Sequence, residues 1–368
     1  MDVKRELKER KLARKKWKEK KVMKFLSKTV SQEAEPVVNE HREGRMKLDE
    51  ENGRDNSPQK YTPGRTLSIA VPGSILENAQ SPELRTYLAG QIARAVCIFK
   101  IDEVVVFDDL AEEDTTLDFN ETDFKEIRSS CAQLARILQY LECPQYLRKQ
   151  LFPLHKDLQF AGVLNPLDAP HHLRQNDHSI YREGVVVKRP VKHQGSASYV
   201  NVGLGRDVFV ECALPPGMRV TVKLEEEGDS EGKLRGSVVP PWQPKAHLGT
   251  YWGYQVRLAS SLKAALSECP FPGQQYSLTI GTSDKGTVHI PERLPHAKHV
   301  LVMFGGVQGL EAALENNGGI LLREAGGDAS LLFDYYFNTC PQQGSRTIRT
   351  EEAILISLSV LLPRLAFC

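Results

Sequence analysis

Two strand patterns flank one helix pattern in the first third of the sequence. The run "RTLSIAVPGSIL" (65–76) predicts an apolar strand ending in a Pro-Gly turn, and "DEVVVFDD" (102–109) predicts a second, continuously apolar strand. Between them, "SPELRTYLAGQIARAVCIFK" (81–100) offers Ser81 as a helix N-cap, Pro82 at the first helical position and apolar residues at helical spacing. Continuous apolar strands are typical of buried parallel sheets, so this order predicts an α/β domain.

The pattern changes near residue 169. Short β-like runs follow there, separated by Gly, Pro and charged turns: "GVVVKR", "SYVNVG", "DVFVEC", "MRVTVKLEE", "LRGSVVP" and "WGYQVRLA". Such spacing is typical of a small barrel or sandwich of OB-like size. Strand and helix patterns of the first kind then resume. We therefore predict a split α/β domain, residues 65–168 and 251–368, with an OB-like β domain inserted at residues 169–250.

Three later strand patterns each end in small polar residues. They are "LTIGTSDKG" (278–286), "HVLVMFGGVQGLE" (299–311) and "LLFDYYFNTCPQQG" (331–344). Ligands of open α/β sheets bind beyond the carboxyl ends of the strands, where glycine lets a ligand approach the backbone closely. One such loop is usually a plain turn, but three in series predict a binding site.

Several common sites lack their motifs. The sequence contains no GxxxxGK[ST], no GxGxxG after the first strand, no HExxH and no CxxC. These absences argue against a P-loop, a Rossmann dinucleotide site and a zinc site. The adjacent His171 and His172 have no ligand partner at helical spacing, so we interpret them as structural or RNA-facing and expect no metal.

The segment "TEEAILISLSVLL" (350–362) predicts a terminal helix. Thr350 is the predicted N-cap, and Glu351 and Glu352 in the first turn favour the helix dipole. The rest of the segment leaves almost no polar face. A helix that is apolar all round is buried on several sides.

Charge is distributed unevenly along the chain. Residues 1–28 hold 13 Lys/Arg and 4 Asp/Glu, although the formal net charge of the whole chain is +1. We predict residues 1–60 to be a basic, partly helical and partly disordered arm that binds an acidic partner, with RNA as the leading candidate. "ARKKWKEKK" is either a nuclear import signal or a solvated basic helix. Scattered cysteines, no signal-peptide core and no long apolar run favour the nucleus, the cytoplasm or both.

The C-terminal loops resemble a known family. In this order, "LTIGTSDKG", "VMFGGVQGLE" and "NTCPQQGSRTIRTEEAILISL" are similar to the three cofactor loops of the SPOUT RNA methyltransferases. The resemblance extends over residues 65–362, and it is greatest to the eukaryotic and archaeal group with an inserted OB-like domain. It implies a trefoil-knotted α/β fold, S-adenosylmethionine as methyl donor, an RNA substrate and an obligate homodimer. Knots are rare, so only the resemblance predicts one.

The resemblance also implies a set of site residues. Thr282 and Lys285 are expected near the cofactor, with Gly305, Gly306 and Gly309 lining the second loop. The third loop, around the adenine and the methionine, would be formed by Asn338, Thr339, Gly344, Ser345, Arg346, Thr347 and Ile348.

Three residues are candidates for the reaction itself. Arg94, in "GQIARA", matches a helix that many SPOUT enzymes direct at the target nucleotide, where it would hold a phosphate or assist proton removal. Glu311 occupies a position that is often acidic, and Arg349 follows the third loop. Arg94 and Glu311 each also have a structural interpretation, as a surface ion pair and as a surface carboxylate after a turn. Arg346 and Arg349 could each contact the cofactor, an RNA phosphate or a dimer partner.

Two functions from different classes follow. The first is an RNA methyltransferase acting on ribosomal RNA, with uridine N3 as the target atom and ribose 2′-O or guanine N1 as alternatives. Nuclear, nucleolar and cytoplasmic localisation would suit it. The second is an RNA-binding scaffold at the spindle, centrosome or kinetochore, where a relative in this group is described. The retained small and amide residues of all three loops favour the enzyme.

Overall fold

A computed structural model describes residues 64–110, 128–189, 197–225, 234–271, 273, 275–316 and 328–365 of the 368-residue chain. The predicted basic arm, residues 1–60, lies outside the described residues. Among those residues, no helix combines the length and the apolar character needed to cross a bilayer.

A six-stranded parallel sheet forms the larger part of the fold. Its order is β11-β9-β10-β1-β2-β8, and every neighbouring pair is parallel. The bounds are β1 Thr66–Pro72, β2 Glu103–Phe107, β8 Gln255–Ala259, β9 Leu278–Thr287, β10 His299–Met303 and β11 Tyr335–Phe337. The central strands β1, β2 and β10 are buried along their whole length, as the continuous apolar runs predicted.

Seven α-helices accompany the strands in the described residues. They are α1 Pro82–Ile98, α2 Ser129–Glu142, α3 Gln145–Leu151, α4 Gln243–Leu248, α5 Leu262–Ser267, α6 Gly309–Asn316 and α7 Thr350–Leu361. Helix α1 begins as predicted, because the Ser81 hydroxyl accepts from the Leu84 amide at 3.3 Å and Pro82 occupies the first position. Residues 131–152 form two helices, with Pro144 as the N-cap of the second.

The start of α7 differs from the prediction by one residue. Thr350 is the first helical residue, and Arg349 is the N-cap. The Thr350 hydroxyl instead donates to the carbonyl of Gly305 at 3.0 Å, and the Arg349 amide donates to the Glu352 carboxylate at 2.9 Å. The prediction was wrong by one residue, because Thr350 itself belongs to the helix and its hydroxyl is directed at the neighbouring loop instead of at the helix's own amides.

A second sheet, antiparallel and five-stranded, lies between β2 and β8 in the sequence. Its order is β5-β4-β3-β6-β7, with bounds β3 Tyr181–Val187, β4 Ser198–Asn201, β5 Val208–Val210, β6 Arg219–Leu224 and β7 Gly236–Val239. The two edges approach each other, since the Phe209 amide donates to the Leu234 carbonyl at 2.8 Å. A cluster of buried valines, including Val200, Val208 and Val222, fills the sheet's inner face.

The run "WGYQVRLA" does not belong to this antiparallel sheet. Residues Gln255–Ala259 form β8, which pairs in parallel with β2 at the edge of the larger sheet. Alternation alone could not distinguish the two sheets, because a short edge strand has the same pattern in either one.

Buried ion pairs join the antiparallel sheet to α2. The Arg219 guanidinium donates to both Glu142 carboxylate oxygens, at 2.6 and 3.1 Å, and to Glu183 at 2.8 Å. Glu183 also accepts from the Thr221 hydroxyl at 2.6 Å and the Trp252 indole N–H at 2.8 Å. The carboxylates of Glu142 and Glu183 thus accept hydrogen bonds from side chains of several elements. The cluster therefore fixes the antiparallel sheet against α2, which belongs to the larger α/β part of the fold.

The two adjacent histidines complete this cluster. His171 Nε2 and His172 Nε2 lie 2.9 and 2.8 Å from the backbone carbonyl of Glu142. Burial, together with the neighbouring His171, lowers the pKa of His172 to about 4, so its ring is neutral at pH 7. Both residues therefore have the structural role that was one of the two predicted interpretations.

Candidate functional site

The three predicted loops meet at the carboxyl edge of the parallel sheet. The Thr282 hydroxyl donates to the carbonyl of Met303, which links the first segment to the second. The side-chain carboxamide of Asn338 donates to the carbonyl of Asp284 at 2.9 Å, which links the third segment to the first. Strands β9, β10 and β11 are neighbours in the sheet, so their ends converge as parallel topology requires.

The first segment is a strand and not a loop. Residues Leu278–Thr287 form one continuous strand, so Thr282 and Lys285 lie within β9. Beyond a register shift, Phe337 pairs with Thr287, and the Asn338 amide N–H donates to the Thr287 carbonyl at 3.0 Å. These contacts hold the glycine-containing segment extended, which its composition did not predict.

The second segment is a tight glycine turn between β10 and α6. The Gly309 amide donates to the Gly306 carbonyl at 3.0 Å, and Gly309 has a φ of +84°. A Cβ on Gly305 would come within 2.6 Å of the backbone of Gly309 and Leu310. The turn therefore requires glycine at both ends for steric reasons, and it brings backbone groups to the edge of the sheet.

The third segment, residues 338–348, has no regular secondary structure. The Asn338 carboxamide oxygen accepts from the Cys340 amide at 3.0 Å, and the Thr339 hydroxyl contacts the Ser357 hydroxyl of α7 at 2.8 Å. Farther along, Ile348 is half-buried, and the exposed residues are Gly344, Ser345, Arg346 and Thr347. The start of this segment is thus anchored to β9 and α7, and its middle faces solvent.

Glu311 connects the first segment to β11, the strand that leads into the third segment. Its Oε1 accepts from the Tyr336 hydroxyl at 2.9 Å and the Ser283 hydroxyl at 3.3 Å, and it lies 3.7 Å from Lys285 Nζ. Burial, followed by the nearby Glu311 charge, raises the pKa of Tyr336, so that hydroxyl remains a donor. Glu311 is therefore more than an isolated surface carboxylate, because residues of β9 and β11 bond to it at the start of α6.

Arg94 lies apart from this cluster. Its guanidinium donates to the backbone carbonyl of Leu167, and it lines a cavity of about 260 Å³ together with the first turn of α7, including Glu351 and Glu352. Arg349 is exposed as the N-cap of the same helix. The two predicted reactive arginines thus lie at and beside the amino-terminal end of α7, whereas Glu311 lies at the start of α6.

The sequence interpretation missed two residues at the same edge. Asp109, which follows β2, accepts from the Ser74 hydroxyl at 2.6 Å. Burial raises the pKa of Asp109, and the hydrogen bond from Ser74 opposes that shift. A Cβ on Gly306 would lie 3.4 Å from Ser74 Oγ and 3.5 Å from Asp109 Oδ2. The signal was present as "DD" after an apolar strand and "GS" after another.

The described residues at this edge do not form a metal-binding site. Among the described residues, no group of three or more His, Cys, Asp or Glu side chains is arranged to hold a metal ion. The described edge instead offers glycine backbone, hydroxyls, carboxamides and one carboxylate–ammonium pair.

Comparisons of the sequence with a family model and with known proteins agree on one family. The family model described as "Putative RNA methyltransferase" matches residues 66–361, which include all three segments. A Homo sapiens protein is 53% identical over 320 residues, covering 87% of this chain and 83% of its own length. A Drosophila melanogaster protein is 55% identical over 309 residues, covering 82% of this chain and 62% of its own length. Both carry the name 28S rRNA (uridine-N(3))-methyltransferase. The chain therefore belongs to this family of RNA methyltransferases.

Proposed function

We propose that this protein transfers a methyl group from S-adenosylmethionine to uridine N3 in large-subunit ribosomal RNA. The observation that carries the proposal is the convergence of residues 282–285, 305–309 and 338–339 at one sheet edge, joined by the contacts of Asn338 and Glu311. The names of the Homo sapiens and Drosophila melanogaster relatives support the choice of substrate and atom.

The residues at this edge suit such a cofactor. An adenosine needs backbone donors and acceptors at close range, and the glycine turn leaves space beside Gly306, where a Cβ would make only ordinary contacts. We assign the turn and the segment around Asn338 and Thr339 to binding. S-adenosylmethionine would supply an electrophilic methyl group. The cofactor would be covered from the third side by the exposed residues Gly344, Ser345, Arg346 and Thr347 together with the half-buried Ile348.

Methylation of uridine N3 needs only a weak general base. Uridine N3–H is weakly acidic, so its proton can be lost without a strongly basic side chain once the base is held in place. Alignment of N3 with the methyl carbon then supplies much of the rate. Arg94 and Arg349, near the start of α7, would hold the target nucleotide or its phosphate.

The same family assignment supports three structural proposals. We propose that the parallel sheet is knotted through the third segment, that the antiparallel sheet is an OB-like insertion, and that the enzyme is a homodimer. The homodimer is supported by exposed apolar side chains on α1 and α7: Leu84 (51%), Tyr87 (43%), Ile98 (54%) and Leu355 (41%). Side chains of this size on two adjacent helices are expected to be covered by a partner.

The predicted arm and localisation extend the proposal beyond the described residues. We propose that residues 1–60 tether ribosomal RNA through phosphate contacts and that the enzyme acts in the nucleus or nucleolus. A spindle or kinetochore role is retained only as an additional association.

Calorimetry with the Asn338→Ala variant tests the cofactor site. We expect the wild-type protein to bind S-adenosylmethionine and the variant to bind at least 10-fold more weakly, since a charge-free hydrogen bond at a binding site is worth about 1.4 kcal/mol. Asn176→Ala makes the same change in an exposed turn and is the matched control. Absence of cofactor binding by the wild-type protein would refute the proposal.

Nucleoside mass spectrometry of ribosomal RNA tests the reaction. RNA from cells depleted of the protein should lose 3-methyluridine at one position, and wild-type protein should restore it whereas Asn338→Ala should not. Loss of a ribose methyl group or of 1-methylguanosine instead would contradict the assignment of the target atom. Unchanged RNA methylation would favour the scaffold function.

A further inference from the structure

A continuous groove runs along α2, α3 and the segment that follows them. It consists of two clefts, of about 860 and 670 Å³, that share His155 and Lys156. The first cleft lies against α3, and the second lies between the start of α1 and the start of α2. None of the residues discussed for the cofactor site lines either cleft.

The groove is strongly basic. A single carboxylate, Asp157, lines it, and that carboxylate forms an ion pair with one of the groove's own arginines. The cationic side chains along the two clefts are Arg85, Arg128, Arg136, Arg148, Lys149 and Lys156. Such a cluster is notable because the formal charge of the whole chain is only +1.

Some of these cations build the groove, and others are exposed within it. Arg148 donates to the carbonyls of Cys143 and Leu141 and lies 4.5 Å from the centroid of the Tyr140 ring, so it is part of the floor. Lys149 and Lys156 are exposed. Fixed arginines in the floor and exposed lysines above it suit a chain of phosphates more than a single anion.

Aromatic and apolar groups lie among the charges. Tyr140 and Phe152 make an edge-to-face contact at 5.5 Å, and Leu154 beside them is fully exposed. Ring faces interleaved with cations are the combination that binds single-stranded nucleic acid, because bases stack on the rings while the cations contact the backbone.

The groove ends beside the candidate cofactor site. Arg128 pairs with Asp108 at 3.4 Å, and Asp108 is the first residue after β2. The next residue, Asp109, bonds to Ser74, and both lie close to Gly306 of the glycine turn. A strand of RNA in the groove would therefore reach the carboxyl edge of the sheet where the three segments converge.

We propose that this groove binds the RNA backbone next to the target nucleotide, with Lys149 and Lys156 contacting phosphates and Phe152 contacting a base. The proposal rests on the proposed function for the identity of the RNA. None of the groove's residues belongs to the predicted arm, residues 1–60, so the groove would give the described part of the chain its own RNA-binding surface.

The test compares two double variants of the full chain. Lys149→Ala/Lys156→Ala removes the two exposed groove cations, and Lys263→Ala/Lys298→Ala removes the same charge from exposed positions outside the groove. Binding of a fluorescein-labelled ribosomal RNA transcript is measured by anisotropy over a series of KCl concentrations. Each phosphate contact to single-stranded RNA contributes about 0.7 to the slope of log K against log salt. The groove variant should therefore lose about 1.4 from the slope and bind about 25-fold more weakly at 0.1 M salt.

The outcomes separate the groove from the proposed function. Equal salt slopes for the two double variants would overturn the groove proposal. In the groove variant, the KM for RNA should rise, whereas S-adenosylmethionine affinity and kcat at saturating RNA should be unchanged. A fall in the cofactor affinity of the groove variant would also overturn the groove proposal. A wild-type protein that binds no cofactor, while the groove variant still loses RNA affinity, would refute the methyltransferase proposal and support the groove.

Discussion

Replacing Arg219 with methionine tests whether the buried ion pairs hold the two sheets together. The change keeps most of the aliphatic part of the side chain but removes the guanidinium that pairs with the carboxylates of Glu142 and Glu183, whose side chains are 8% and 5% exposed. Removing one partner of a buried pair typically costs about 3–5 kcal/mol, because the remaining charge stays desolvated. The Arg219 side chain is 31% exposed, so we expect a loss near the lower end.

The pKa of Glu142 gives a similar magnitude. Burial alone would raise this pKa, but the Arg219 charge, with a hydrogen bond from His171, lowers it from 4.5 to about 2. Each unit of difference between folded and unfolded chains corresponds to about 1.4 kcal/mol, so the ionised Glu142 contributes ~3 kcal/mol to the free energy of unfolding. Because the folded pKa is the lower one, this stabilisation is fully present above pH 4.5 and is lost as the pH falls toward 2.

Urea unfolding followed by tryptophan fluorescence is the assay, since the Trp252 indole bonds to Glu183 in the same cluster. Arg219→Met should lower the free energy of unfolding by about 3 kcal/mol at pH 7. The difference from the wild type should narrow below about pH 4, because protonation then relieves the unpaired carboxylates. Arg189→Met is the control, since it removes an exposed pair with Asp207 and should cost less than ~1 kcal/mol. A loss no larger than the control's, or a difference independent of pH, would refute the reasoning.

Four further changes test other parts of the structure. Gly309→Ala should lower the free energy of unfolding by about 1–2 kcal/mol, because Gly309 has a φ of +84° and a Cβ there would lie 2.8 Å from Glu311 Oε2. The same change should weaken S-adenosylmethionine binding. Thermal unfolding measures the first effect and calorimetry the second. Thr350→Val removes the hydroxyl that donates to Gly305 and should cost about 1 kcal/mol in urea unfolding, with Thr350→Ser close to wild type. Leu355→Glu should convert the proposed homodimer to a folded monomer in sedimentation velocity, and a monomeric wild-type protein would contradict the dimer proposal. Deleting residues 1–60 should reduce the salt slope of RNA binding, whereas an unchanged slope would count against the arm.

The sequence predicted those features that depend on local pattern. Continuous apolar runs became the buried strands β1, β2 and β10, and the Ser-Pro start of α1 was confirmed by its cap. Both follow from local physics, because strand burial and helix capping involve residues close together in the chain. Strand-end glycines also predicted where the three segments converge, since parallel strands place their carboxyl ends together.

Features that depend on distant partners were not predictable in the same way. The glycine-containing sequence of residues 281–287 predicted a loop, but pairing with β11 makes these residues part of a strand. The sequence predicted Thr350 as an N-cap, but its hydroxyl donates to the carbonyl of Gly305, 45 residues earlier in the chain. The groove combines side chains from α1, α2, α3 and the following segment, and no single stretch of sequence carries its charge pattern.

The contacts of Glu311 support a positioning role. Its Oε1 already has the Tyr336 and Ser283 hydroxyls at hydrogen-bond distance and the Lys285 ammonium at 3.7 Å. These partners all contact the same oxygen, so they fix the orientation of the carboxylate. The partners come from β9 and β11, so the bonds hold both strand ends against the start of α6. Because uridine N3 needs only a weak base, rigid placement of the glycine turn contributes more to methyl transfer than the basicity of this carboxylate.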